Sequence, residues 1–181
     1  MKIYLIRHGE ADSNVENIPL TKKGLDEARE VANKLLNYKF EKIYSSDLLR
    51  AKQTAEIYLE LNPKIKIIVD KRLREVYRVL IGGSKKIGTS ENREINDKER
   101  ADEIFEEILK KREDVAIFCH GNIIRYYLNK ILKSKENIWE SLTINNCSIS
   151  IISYEEGTLK IEGINLHKNL GTKEDKEVYL E

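Results

Sequence analysis

Two short apolar runs, residues 3–6 and 115–119, constrain this chain more than any other feature, because each is continuous rather than alternating and each gives way to histidine followed by glycine. A run that is apolar at every position reads as a strand covered on both faces, which belongs in the middle of a parallel sheet between helical layers. In such sheets ligands sit in the crevice beyond the carboxyl ends of the strands. Arg7-His8-Gly9 and His120-Gly121 would then share one edge of one sheet if their strands are parallel neighbours. Taken singly, Arg-His-Gly suits equally well an ordinary strand that ends in two solvated residues.

The rest of the chain alternates between strand and helix. Residues 9–20, with Gly, Asp, Ser, Asn and Pro, read as a loop, and Thr21 caps a helix from Lys22 to about Tyr38 whose apolar residues Leu25, Ala28, Val31, Ala32, Leu35 and Leu36 fall three and four apart. A strand at 41–45 leads through Ser45, Ser46 and Asp47, all good caps, into a helix over 48–61. Residues 64–69 are strand-like. Residues 70–97, rich in charge and glycine, read as an extended loop or a partial cover. Ala101, Ile104, Phe105 and Ile108 mark a helix ending near Arg112, and after His120 a further helix buries Ile123, Ile124, Tyr127, Leu128, Ile131 and Leu132.

Residues 147–154 and 159–166 flank a turn at 155–158, and the tail from His167 is polar and irregular. The fold class expected is α/β: a single domain over 1–181, built as a three-layer α/β/α sandwich with a mostly parallel central sheet and a C-terminal β-hairpin.

Acids and bases nearly cancel, at a formal net charge of +1, which gives no general affinity for nucleic acid or a membrane surface. No apolar run approaches the roughly 20 residues of a membrane span, and a soluble, cytoplasmic protein is expected. Cys119 and Cys147 lack CxxC spacing and read as small buried core residues. The sequence carries no signal of oligomeric state.

Arg50 falls in the first turn of its helix, where an anion is favoured, so two arginines and two histidines around a crevice describe a pocket for a phosphoryl group. An arginine at such a place is also commonly just solvated. Arg7-His8-Gly9-Glu10 with Asn14, then Leu20-Thr21-Lys22-Lys23-Gly24, Ser45-Ser46-Asp47-Leu48-Leu49-Arg50-Ala51-Lys52-Gln53-Thr54-Ala55, Leu73-Arg74-Glu75 and His120-Gly121 together resemble the histidine phosphatase superfamily, in its phosphoglycerate mutase-like branch.

The resemblance implies roles. His8 would be the nucleophile that becomes a phosphohistidine. Arg7, Arg50 and His120 would hold the phosphoryl oxygens, Asn14 would add a neutral donor, and Gly121 would belong to the phosphate-binding set. Glu75 would protonate the leaving alcohol and then activate water, with a pKa lifted by burial. In Arg72-Leu73-Arg74-Glu75 the acid could equally be part of a surface ion pair. No metal or cofactor is implied.

Cys119 and Arg125 stand in the C-x5-R spacing of cysteine-dependent phosphatases, but Ile123 and Ile124 occupy what would be the phosphate loop, and adjacent strand residues face opposite ways. A zinc site is not expected from His8, His120 and His167, which show no metal-ligand spacing. Within the family, the short stretch between Asn14 and Leu20 and the Val76-Tyr77-Arg78-Val79 that follows Glu75 depart from the mutases, whereas His120-Gly121-Asn122 resembles them. A phosphatase is therefore favoured over a cofactor-dependent phosphoglycerate mutase and over a catalytically silent phosphate-binding scaffold. A trimmed loop should leave the pocket open to several small phosphorylated substrates, a phosphorylated protein side chain among them.

Overall fold

The computed structural model describes residues 1–12, 17–84, 91–134 and 137–166. Among them β1 (Lys2–Arg7), β2 (Lys42–Ser45), β3 (Ile67–Val69), β4 (Val115–Cys119), β5 (Ile149–Glu155) and β6 (Thr158–Leu166) form one sheet in the order β3-β2-β4-β1-β5-β6. The first four strands run parallel, and β5 and β6 close the far side as an antiparallel hairpin. The hairpin turns on Glu156 and Gly157, both at positive φ.

The continuous apolar runs divide as strand geometry requires, with successive side chains on opposite faces. Ile3, Leu5, Val115, Ile117 and Cys119 face one core, shared with α3 (Glu91–Lys111) and α4 (Gly121–Leu132); Tyr4, Ile6, Ala116 and Phe118 face the other, shared with α1 (Lys22–Leu35) and α2 (Leu49–Leu61). This is the three-layer arrangement the alternation implies. Cys119 and Cys147 are free and buried.

Several local expectations change. Helix α1 stops at Leu35, and Leu36 and Leu132, read as buried, are about half exposed. Strand β3 is only three residues long and lies at the sheet edge, where Ile68 and Val69 meet solvent. The N-cap of α2 is Leu48, with no side-chain cap; Ser46 and Asp47 are used elsewhere. A one-turn helix, α5 (Ile138–Ser141), was not expected.

The largest change falls in 70–97. It holds two 3-10 turns, Lys71–Leu73 and Arg78–Ile81, and then α3, which begins ten residues before its first apolar core residue, Ala101. Its first half shows no apolar stripe because it meets the body of the protein through polar residues, with Asp97 buried among them. Residues 85–90 and the tail from His167 lie outside the described residues.

Candidate active site

Register places the site. Arg7 is opposite Cys119 across the β1–β4 pair, and Ser45 is opposite Phe118 across β2–β4, so His8, His120 and Ser46 leave the sheet side by side. The His8 N–H donates to the Cys119 carbonyl at 3.0 Å, and the Ser46 N–H donates to that of Phe118 at 3.0 Å. The two imidazoles meet edge to face with centroids 5.1 Å apart. A tetrahedral anion against one ring is therefore within reach of the other.

Both rings are buried. His8 Nδ1 lies 2.7 Å from the Gly9 carbonyl, to which it can only donate, so Nε2 keeps its lone pair. Arg50 Nε–H donates to that Nε2 at 3.2 Å. Burial, followed by the charges of Arg50 and Arg7, pushes the pKa of His8 down to about 3, against the help of Gly9, and the ring is neutral at ordinary pH. Burial likewise holds His120 well below its usual range, with His8 and nearby arginines adding to the effect.

His120 Nε2 is 2.9 Å from Ser46 Oγ, which also accepts the Leu48 N–H at 3.3 Å, while His120 Nδ1 is buried and makes no hydrogen bond. A serine hydroxyl that donates to Nε2 leaves Nδ1–H as a free donor in the crevice.

Arg50 is 1% exposed, a nearly complete burial for a guanidinium. Arg7 donates through Nη1 to the Ile144 carbonyl, and its Nε is buried without a partner. Burial lowers the pKa of both arginines, and Glu75 is the carboxylate whose charge opposes this most in each. Gly121 lies beside Arg7, and a Cβ there would meet Arg7 Nε at an ordinary contact distance of 3.5 Å and Arg125 Nη1 more tightly at 3.3 Å. Thr54 Oγ1 accepts the Gly9 N–H and donates to the Arg50 carbonyl, tying the end of β1 to α2.

Glu75 faces the same crevice. Its Oε1 accepts the Ile123 N–H at 2.9 Å. Burial outweighs this bond and the charge of Arg7, and raises the carboxyl to about 7. The surface ion-pair alternative fails because Arg72 and Arg74 have other partners: Asp70, Glu103 and Glu107 surround the first, and Asp47 takes the second. A cavity of about 490 Å³ is lined by Arg50 and Glu75 and also by Lys71, Arg74 and Arg93.

The structure thus brings together Arg7, His8, Arg50, Glu75, His120 and Gly121, while Asn14 and His167 lie outside the described residues. It separates Cys119, which faces the α3–α4 core with its thiol pushed up by burial, from Arg125, whose guanidinium bonds Leu142 and Asn122 and lies over Trp139. Among the described residues no three His, Cys, Asp or Glu side chains are grouped to hold a metal ion. The sequence reading missed Ser46 as the partner of His120, taking it for a cap, and missed Thr54 as the tie between β1 and α2.

A family model described as the histidine phosphatase superfamily, branch 1, matches residues 3–94 and 85–167. A 2,3-bisphosphoglycerate-dependent phosphoglycerate mutase of Thermoplasma acidophilum is 30% identical over 88% of this chain and 90% of its own length. A probable phosphatase of Schizosaccharomyces pombe is 26% identical over 90% of this chain and 87% of its own. The crystal structure of a phosphoserine phosphatase from Entamoeba histolytica in complex with 3-phosphoglyceric acid superposes with a TM-score of 0.76 at 20% identity, covering 93% of this chain and 98% of the other. That last likeness is one of fold.

Proposed function

The chain belongs to the histidine phosphatase superfamily, and from that premise we propose that it is a metal-independent phosphatase that hydrolyses small phosphomonoesters through a phosphohistidine on His8. The observation that carries this reading is the neutral His8 imidazole, with its Nε2 lone pair directed into a crevice walled by Arg7, Arg50 and His120. As substrate enters, Arg50 turns its Nε–H from His8 to a phosphoryl oxygen. His8 Nε2 then forms a bond to phosphorus as the bond to the ester oxygen breaks, and Glu75 gives that oxygen its proton. In the second step Glu75, now a carboxylate, takes a proton from water. The water oxygen bonds to phosphorus, the N–P bond breaks, and phosphate leaves. Arg7, Arg50 and His120 Nδ1–H stabilise the charge on the equatorial oxygens in both steps.

The cavity beside Glu75 has room for several small substrates, and the exposed cations Lys71 and Arg93 on its wall favour those with a second acidic group. The 3-phosphoglyceric acid held by the Entamoeba protein is of that kind. Release of p-nitrophenol from p-nitrophenyl phosphate is expected to survive EDTA and to fall by at least about a thousand-fold in His8→Ala. Cys119→Ser should keep its activity. A folded but inactive Cys119→Ser variant would reverse the choice of nucleophile, and silence of the wild type from mildly acid to mildly alkaline pH would favour a phosphate-binding scaffold.

The similarity to the Thermoplasma mutase favours a second reading, transfer of the phosphoryl group back to a bound phosphoglycerate. Incubation with 3-phosphoglycerate and 2,3-bisphosphoglycerate separates the two. Free phosphate is the outcome expected here, and 2-phosphoglycerate would establish the isomerase.

A further inference from the structure

We propose that Arg100 is a positioning residue for Glu75, its guanidinium pinning the backbone on either side of the acid so that the carboxyl stays turned into the crevice. The inference rests on the reading of Glu75 as the acid that protonates the leaving oxygen.

The segment from Arg74 to Tyr77 belongs to neither helix nor strand, so no ladder of backbone bonds holds it. The carbonyls of Arg74 and Glu75, with that of Arg72 just before the segment, converge instead on one side chain of α3, while that of Val76 accepts from Asn122 of α4. Arg100 Nη1 donates to the carbonyls of Arg72 at 2.9 Å and Arg74 at 2.7 Å, and Nη2 donates to that of Glu75 at 2.7 Å. Asp97, one turn earlier, fixes the fork by accepting from Nη2 at 2.6 Å and Nε at 3.0 Å, and its second oxygen takes the Tyr77 N–H at 2.9 Å.

The backbone of the acid and of three residues around it, Arg72, Arg74 and Tyr77, is thus bound by one Asp-Arg pair. Leu73 and Val76 are buried in the core beneath, and Ile123 of α4 holds the carboxyl itself. A guanidinium suits this task because its donors are coplanar and fixed in direction, whereas an ammonium presents a single point of charge. Displacement of such an acid by about 1 Å is enough to lower its effectiveness strongly.

Arg100 also lies near enough for its charge to bear on His120, so an action on the phosphoryl group itself is the alternative to exclude. Leaving groups separate the two. The value of kcat/KM reports events up to the first irreversible step, cleavage of the P–O bond. p-Nitrophenolate departs without a proton, but the alkoxide of glycerol phosphate needs one.

Glu75→Gln, run as the reference, is expected to lose about a hundred-fold in kcat/KM on glycerol phosphate and little on p-nitrophenyl phosphate. Arg100→Gln and Arg100→Lys should both repeat that selectivity at about ten-fold, with melting temperature and circular dichroism checking the fold. Equal losses on both esters, or full rescue by lysine, would make Arg100 a source of charge and overturn the proposal. Selectivity in Glu75→Gln without it in the Arg100 variants would overturn the proposal alone; its absence in Glu75→Gln would remove the role of Glu75 as well. If neither Arg100 variant folds, the residue is structural and the proposal falls.

Discussion

His8 and Glu75 share a crevice in which burial shifts them in opposite directions, the imidazole down to about 3 and the carboxyl up to about 7. Low polarity disfavours the charged form of each, so a neutral imidazole and a protonated carboxyl coexist between about pH 3 and about pH 7. For an alkyl phosphate, kcat/KM is expected to decline as pH rises past about 7. That limb should be missing in Glu75→Gln and with p-nitrophenyl phosphate, and its persistence in the variant would assign it to another group. The same shifts act on stability with opposite sign. Between 4.5 and about 7 the folded protein holds a Glu75 proton that the unfolded chain has lost, so ionisation destabilises it as pH rises. Between 6.5 and about 3 the folded protein lacks a His8 proton that the unfolded chain would bind, so acid destabilises it. Sequence marks both residues, but not this pairing of shifts, because the environment that sets them comes from α2, α4 and the segment after β3.

At the scale of elements, the long stretches with one apolar face were legible and the short polar ones were not. Helices α1 and α4 follow their spacing, and β1 and β4 their continuous runs, because burial against a sheet leaves a periodic mark. The turn Lys71–Leu73 and the segment after it are tied to α3 by charged hydrogen bonds from Arg100 to backbone carbonyls, which leave none. Asp97 falls in the stretch read from the sequence as a loop or cover, so its pairing with Arg100, three residues on, leaves no sign there. The loop after β1 depends on a different device. Gly9 and Gly24 pack backbone to backbone, and a Cβ on Gly24 would stand 2.1 Å from the Glu10 carbonyl oxygen. Because rigid backbone stands in the way, Gly24→Ala is expected to cost about 2–3 kcal/mol in denaturant unfolding. It should also raise KM by shifting the turn that carries His8. A variant of wild-type stability would show that α1 can slide away from this loop.

For the molecule as a whole, the site is a local excess of buried positive charge in a chain that is otherwise nearly balanced. Arg7 and Arg50 both lose hydration there, and Glu75, the acid that best opposes them, is itself half neutral near pH 7. The folded state carries that cost, and an oxyanion that binds only the folded state offsets it in proportion to its concentration. At about a hundred times its dissociation constant, vanadate or phosphate should add about 2.7 kcal/mol. For a chain of this size that is a rise of roughly 5–10 °C in melting temperature. The rise should persist in His8→Ala, because the arginines remain, and should shrink sharply in Arg50→Gln. Chloride at equal ionic strength controls for general screening, which acts on exposed charge over about 10 Å and has little access to a guanidinium as buried as Arg50. An equal rise with chloride would mean that the two arginines do not share an anion, and the convergence of β1, β2 and β4 would then have no phosphoryl group to explain it.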